Sequence, residues 1–80
     1  MTRTEIFETL NGIFRDAFDD ETIILNDNTT ASDIEDWDSL MQITLVSEIE
    51  QTFHIRFSMK DVIEMKNVGE MVDKIVELIQ

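Results

Sequence analysis

The chain has 80 residues, of which 42% are hydrophobic, and this length supports one small domain with a single hydrophobic core. Its 18 acidic and 6 basic residues give a formal charge of -12, which disfavours binding to nucleic acid or to an anionic lipid surface and favours basic protein partners or small molecules. It has no cysteine, no secretory signal and no apolar run near the roughly 20 residues of a membrane span, so we expect a cytoplasmic protein without disulfides, thiolate metal sites or membrane insertion.

A first amphipathic helix is predicted from Arg3 to Phe18. Thr2 and Glu5 have the spacing of a capping box, in which the hydroxyl and the carboxylate bind unpaired backbone amides of the first turn. Apolar residues recur at intervals of three and four positions and therefore share one face of the helix. These residues are Ile6, Phe7, Leu10, Ile13, Phe14, Ala17 and Phe18.

The segment from Asp19 to Asp38 loses the helical period and is rich in turn-forming residues, so it is predicted to be a long structured loop. A loop of about twenty residues is unusual in a small domain, and such loops are commonly functional. We expect its apolar residues to anchor it across the helices. They are Ile23, Ile24, Leu25, Ile34 and Trp37.

A second helix is predicted from Ser39 to Phe53. Four apolar residues fall on one side of its helical wheel, and four residues that include one leucine fall on the opposite side. The inner set is Leu45, Val46, Ile49 and Phe53, and the outer set is Leu40, Thr44, Ser47 and Gln51. Leu40 is therefore an apolar residue outside the core, with Met41 on the flank beside it.

Two further helices are predicted after Phe53. Ser58 and Asp61 have the capping-box spacing at the start of a short helix, and Asn67 and Glu70 repeat that spacing at the start of a last helix. The last helix carries an apolar stripe of Val68, Met71, Val72, Ile75, Val76 and Ile79. The predicted fold is all-α, a small four-helix bundle with three long helices, one short helix and a long loop between the first two helices.

Few residues in the chain are suited to catalysis. There is one histidine, and there is no cysteine, glycine-rich phosphate loop, HExxH sequence or EF-hand pattern. His54 follows the predicted end of the second helix, where a histidine more commonly caps or packs than transfers protons. Acidic residues cluster at 16–21 and 33–38 without the fixed spacing of a cation-binding loop, and we interpret them as solvated helix ends. We therefore predict neither an enzyme nor a metal site.

Ser39 stands at the start of the second predicted helix, beside the apolar Leu40. A structural interpretation is that Ser39 and Gln42 form an S-x-x-Q capping box, which would stabilise the helix by about 1 kcal/mol. A functional interpretation is that Ser39 carries a phosphate group covalently, because a helix N-terminus favours such a group. The capping interpretation leaves the exposed Leu40 and Met41 unexplained.

The tripeptide Asp38-Ser39-Leu40 resembles the motif that begins helix two in the acyl carrier protein and peptidyl carrier protein family. The resemblance covers nearly the whole chain, including its length, its acidity, the long first loop and the order of the helices. It implies a single carrier domain over residues 1–80. It also implies that a phosphopantetheinyl transferase moves 4'-phosphopantetheine from coenzyme A onto Ser39, and that acyl or aminoacyl groups are then held as thioesters on this arm.

The resemblance further implies roles for the residues around Ser39. Asp38 is expected to order the motif and to contact the transferase, and with Leu40 it completes the cofactor-binding set. The protein is expected to act as a monomer on enzymes that carry a basic docking patch, namely the ligase, synthase or acyltransferase that loads the cargo. The expected docking residues are Trp37, Leu40, Met41, Thr44, Glu48 and Glu50.

Two features distinguish the chain from carriers of fatty acid synthesis. Those carriers usually have glycine two positions before the motif aspartate, where this chain has Asp36, and their second helix often has a more acidic outer face. The chain thus looks more like discrete carriers of specialised pathways, including polyketide, nonribosomal-peptide and sugar-modifying ones. The alternative is an acidic protein–protein interaction module without a prosthetic group, which docks through Leu40 and Met41 and in which Ser39 only caps the helix.

Overall fold

The structure is a computed structural model that describes residues 1–79, which form four α-helices and one 3₁₀ turn. The helices are α1 (Arg3–Phe18), α2 (Ser39–Phe53), α3 (Met59–Glu64) and α4 (Val68–Ile79). These bounds confirm the four helices expected from the sequence, and the described residues include no strand. The 3₁₀ turn (Ala31–Asp33) lies in the α1–α2 loop and is not evident from the sequence, because three residues are too few to show a period.

The hydrophobic core lies between α1, α2 and α4, each of which contributes fully buried side chains. Those without exposed surface are Ile6, Leu10, Phe14, Leu45, Ile49, Val68, Val72 and Ile75. Ile23 and Leu25 of the α1–α2 loop are also buried, whereas Ile24 is 75% exposed. The expectation that Ile24 anchors the loop is therefore wrong, because neighbouring residues of a non-helical segment commonly point to opposite sides.

The α1–α2 loop is fastened to the beginning of α4 by backbone hydrogen bonds. The amide of Val68 donates to the carbonyl of Thr29 at 2.8 Å, and the amide of Gly69 donates to the carbonyl of Asp27 at 3.1 Å. Arg3 of α1 also forms an ion pair with the Asp27 carboxylate. The loop is therefore an ordered part of the fold, and it leads directly into α2.

The short helix α3 is held by its N-terminal cap and by an ion pair. The hydroxyl of Ser58 accepts from the amide of Asp61 at 3.0 Å, and the amide of Ser58 donates to the Asp61 carboxylate at 3.0 Å, which confirms the predicted capping box. Asp61 also lies 3.1 Å from the ammonium of Lys74 on α4. The Ser58 amide and, to a smaller extent, Lys74 lower the pKa of the Asp61 carboxyl group. None of the α3 residues is buried, so the outer face of this helix is free of core packing.

His54 ends α2 in a backbone conformation that favours glycine. Its φ of 58° and ψ of 47° lie in the left-handed region, and its amide donates to the carbonyl of Glu50, so the expected capping role is confirmed. The variant His54→Gly should raise the free energy of unfolding by about 1 kcal/mol, because glycine adopts this conformation without steric cost. Denaturant melts measure the change. The control Gln51→Gly, in the exposed helix interior, should be destabilising, and a loss of stability in both variants would contradict the prediction.

Candidate functional site

Helix α2 begins at Ser39, and Asp38 is its N-cap. The Asp38 carboxylate accepts a hydrogen bond from the amide of Met41 at 2.9 Å, and the Asp38 carbonyl accepts from the amide of Gln42 at 2.9 Å. The expected capping box between Ser39 and Gln42 is therefore wrong. Aspartate and serine are both good cap residues, and because the chain uses Asp38, Ser39 becomes the first residue inside the helix.

The side chain of Ser39 is exposed, and its hydroxyl makes no hydrogen bond to any other residue in the described range 1–79. Gln42 instead accepts a hydrogen bond from the indole N–H of Trp37 at 2.7 Å. The positive end of the helix dipole lies at this terminus, where the first backbone amides have no partner within the helix. Ser39 thus presents a free hydroxyl at a point that favours a negatively charged group.

Trp37 holds the segment before Ser39 against the core. Its half-buried ring packs edge-on against Phe14, with ring centroids 5.1 Å apart and an interplanar angle of 80°. Asp36 has a φ of 72°, a left-handed conformation that glycine adopts most easily and that aspartate tolerates. This conformation gives a physical reason for glycine at the equivalent position of the carriers that the motif resembles.

The six expected docking residues differ in exposure. Leu40, Thr44 and Glu48 are exposed, whereas Trp37, Met41 and Glu50 are half-buried. Glu50 accepts a hydrogen bond from the amide of Phe57 at 2.8 Å and thereby ties the α2–α3 loop to α2. Ile43 is absent from the expected set but is 68% exposed, compared with 75% for Leu40. The helical wheel already places Ile43 on the same side as Leu40, so the signal is present in the sequence.

A groove of about 530 Å³ lies beside Ser39, and most of its side chains are apolar. The lining residues are Ala31, Trp37, Asp38, Ser39, Gln42, Ile43, Val62, Met65, Lys66, Asn67 and Met71. A larger depression of about 700 Å³ in the α1–α2 loop is mainly polar and contains none of the expected site residues. The groove is the more relevant of the two, because it joins the free hydroxyl to apolar surface from α2, α3 and α4.

Residues 1–79 contain neither a cluster of metal-binding side chains nor a membrane-spanning helix. No three or more histidine, aspartate or glutamate side chains converge there in a way that could hold a metal ion. No helix in the same range is long and apolar enough to cross a membrane. What the described residues bring together at Ser39 is a free hydroxyl group, a helix terminus and an apolar groove.

The cap at Asp38 can be tested separately from the hydroxyl of Ser39. The variant Asp38→Ala should lose about 1 kcal/mol of stability, because the amide of Met41 loses its acceptor, whereas Asp38→Asn keeps an acceptor oxygen and should change little. Thermal and denaturant melts measure both. Glu35→Ala is the control, since it removes a nearby exposed carboxylate that makes no cap. Equal losses in Asp38→Ala and Glu35→Ala would indicate a general charge effect and not a cap.

Comparisons with known proteins agree with this geometry. The family model for the phosphopantetheine attachment site matches residues 8–75. The chain is similar to the solution NMR structure of holo acyl carrier protein from Geobacter metallireducens, with 36% sequence identity and a TM-score of 0.85 over 90% of this chain and 83% of that chain. No curated protein sequence matches it significantly. The fold, the free serine and the family match together place the chain in the phosphopantetheine attachment family of acyl-carrier-type domains.

Proposed function

We propose that this chain is an acyl carrier protein whose 4'-phosphopantetheine arm is joined to the side-chain oxygen of Ser39 by a phosphodiester bond. The observation that carries the proposal is the free Ser39 hydroxyl at the start of α2, since Asp38 supplies the helix cap. Ser39 also lies within the matched residues 8–75. When attached, the arm supplies the thiol that a cysteine-free chain lacks, and acyl or aminoacyl groups are held on it as thioesters.

The residues around Ser39 suit a phosphodiester. The amides of Ser39 and Leu40 have no hydrogen-bond acceptor among residues 1–79, and with the helix dipole they favour a negative charge at this end. The Asp38 carboxylate is engaged by the amide of Met41, so it holds the turn in which Ser39 sits. We assign Asp38 the roles of ordering the site and contacting the transferase, and Leu40 the role of an apolar contact.

Partner enzymes are proposed to approach the end of the molecule that carries Ser39. The acidic residues there are Asp33, Glu35, Asp36 and Asp38, with Glu48 further along α2, and they complement a basic docking patch. Leu40 and Ile43 add exposed apolar surface on the same helix. Trp37 and Glu50 make intramolecular contacts, so their proposed contribution is to support this surface from within.

The proposed partners are a cytoplasmic phosphopantetheinyl transferase and the ligase, synthase or acyltransferase that loads the cargo. The chain itself has no catalytic step in this scheme, because loading and transfer are carried out by those enzymes. We place it in a specialised biosynthetic pathway of the fatty acid, polyketide or nonribosomal-peptide type. This choice rests on the Asp36-Trp37-Asp38 sequence and on the uncharged Thr44 and Ser47 of the outer α2 face.

The proposal is tested by incubating the apo protein with coenzyme A and a broad-specificity phosphopantetheinyl transferase. Intact-protein mass spectrometry should show the addition of one phosphopantetheine group. Fragmentation should locate the group on Ser39, and not on the chain's other serines, which are Ser32, Ser47 and Ser58. No mass gain, or attachment at another serine, would overturn the assignment.

The alternative is an interaction module without a prosthetic group, and the capping role that it gives Ser39 does not fit the structure. It requires Ser39 to serve only as the helix cap, but Asp38 fills that position. The family match also favours the carrier. Intact protein isolated from its native host separates the two, since the carrier should be found with the added group and the interaction module without it.

A further inference from the structure

A side-chain hydrogen bond spans the turn that presents Ser39. The indole N–H of Trp37, which precedes the serine, donates to the side-chain oxygen of Gln42, which follows it, at 2.7 Å. Both side chains are half-buried, so water competes less for this bond than for one on the surface. The Trp37–Gln42 hydrogen bond is separate from the cap of α2, in which the Asp38 carboxylate accepts from the amide of Met41.

Trp37 anchors the segment that leads to Ser39. Among residues 35–39 it alone is half-buried, whereas the other residues of that range are exposed. Its ring packs on Phe14, which has no exposed surface, and its centroid lies 6.3 Å from that of Phe18. Because Gln42 belongs to α2, the Trp37–Gln42 hydrogen bond ties this anchored ring to the helix on the other side of the serine.

The same segment has several features that oppose a fixed conformation. Acidic residues crowd the range 33–38, and their carboxylates repel one another. Asp36 has a φ of 72°, which is less favourable for aspartate than for glycine. The backbone hydrogen bond from the amide of Trp37 to the carbonyl of Ile34 is long, at 3.3 Å. Segments with few buried contacts open more readily than the core, so we expect the position of Ser39 to depend on the Trp37–Gln42 hydrogen bond.

We propose that the Trp37–Gln42 hydrogen bond positions Ser39 for the transfer of phosphopantetheine, which makes Gln42 a positioning residue of that reaction; the inference rests on the proposed carrier function. In the transfer, the hydroxyl oxygen of Ser39 forms a bond to the phosphorus next to the pantetheine. The pyrophosphate bond of coenzyme A breaks, its adenosine bisphosphate half leaves, and the hydroxyl proton passes to a base of the transferase. Gln42 acts by limiting the conformations of the turn and touches none of the reacting atoms.

The Trp37–Gln42 hydrogen bond should act on KM and not on kcat. A transferase binds only those molecules in which the turn has the competent conformation, so its apparent affinity falls in proportion to their fraction. In the bound complex the enzyme itself holds the turn, and the rate of the chemical step is then unchanged. Loss of one hydrogen bond of ordinary strength changes a conformational equilibrium by about fivefold, so this is the expected rise in KM.

Steady-state transfer kinetics with the full chain, coenzyme A and a broad-specificity phosphopantetheinyl transferase test the inference. Gln42→Leu is close in size but has no acceptor, and the KM for this variant should rise about fivefold with kcat unchanged. Gln42→Glu keeps an acceptor oxygen and should restore KM to within about twofold of the original. Gln51→Leu is the matched control, because Gln51 is an exposed glutamine of the same helix, and it should be loaded normally.

Two further measurements examine the bond itself. Trp37→Phe removes the donor and keeps an aromatic ring on Phe14, so the double variant Trp37→Phe/Gln42→Leu should raise KM no more than the larger of the two single changes. NMR on the isotope-labelled Gln42→Leu variant should show faster solvent exchange of the indole N–H, which has lost its acceptor. The amide of Met41 should also exchange faster, because the turn that carries its acceptor opens more often.

Two results would overturn the inference and leave the carrier function intact. One is an unchanged KM for Gln42→Leu, even where denaturant melts show a lower free energy of unfolding, since the bond would then only stabilise the fold. The other is an equal rise in KM for Gln42→Leu and Gln51→Leu, which would indicate a general effect of an added apolar side chain. Intact mass of the unsubstituted chain in the same series separates these results from a failure of the proposed function, because a chain that does not load at all would overturn both.

Discussion

The variant Ser39→Ala should show no phosphopantetheine addition at all, even after prolonged incubation with coenzyme A and transferase. Alanine has no oxygen to form the phosphodiester bond. Because Asp38 and not Ser39 caps α2, and because alanine is the best helix former, the stability of the variant should stay within about 0.5 kcal/mol of the original. Intact mass and a denaturant melt on the same sample measure the two effects.

The control for this experiment is Ser47→Ala, which removes another exposed hydroxyl from the same helix and should load normally. Loading of Ser39→Ala would show that the arm is attached elsewhere. A large loss of stability in Ser39→Ala would instead indicate that Ser39 has a structural role. The paired readouts therefore separate attachment from capping, which the sequence alone leaves open.

The variant Gly69→Ala should lower the free energy of unfolding by about 2 kcal/mol. A Cβ atom at Gly69 would lie 2.7 Å from the carbonyl oxygen of Asp27 and 2.9 Å from its carboxylate oxygen Oδ1. Relief of this overlap must move the loop backbone, which weakens the hydrogen bonds that Val68 and Gly69 donate to the loop. Overpacking of this kind costs about 1–3 kcal/mol and each weakened bond about 1 kcal/mol, against a gain in helix propensity of about 1 kcal/mol.

Gly12→Ala is the matched control for that loss. Gly12 lies in α1, is exposed, and would place its added Cβ in open space. The variant should gain about 1 kcal/mol from helix propensity alone. Urea melts of the two variants should therefore shift in opposite directions. A stabilised Gly69→Ala variant would contradict the prediction, because it would mean that the loop backbone at Asp27 moves away from the added Cβ atom at little cost in free energy.

The helix boundaries follow from the sequence because the signals that set them are local. The capping boxes at Thr2 and Ser58 each need residues only three positions apart, and the structure forms both. The cap of α2 is less certain from sequence because Asp38 and Ser39 are adjacent and equally suited. In the structure Asp38 is the cap, and the preceding residue, Trp37, packs on Phe14 and donates a hydrogen bond to Gln42. That packing joins distant parts of the chain, so no short-range pattern predicts it.

In the candidate site, too, some features can be predicted from the local sequence and others cannot. The motif identifies Ser39 and the exposed Leu40, but it does not reveal that the serine hydroxyl is free or that Glu50 binds the α2–α3 loop. The close approach of Gly69 to Asp27 is also invisible in the sequence, since it arises when α4 meets a loop far away in the chain.

The fastening of the α1–α2 loop to α4 has a consequence for the order of events during synthesis. The loop carbonyls of Asp27 and Thr29 have their partners on Gly69 and Val68, which leave the ribosome much later. A nascent chain that ends before α4 cannot order this loop in its final form, and contacts between distant parts of a chain are the slowest to form. A transferase that recognises the folded surroundings of Ser39 would therefore act only after α4 has been synthesised.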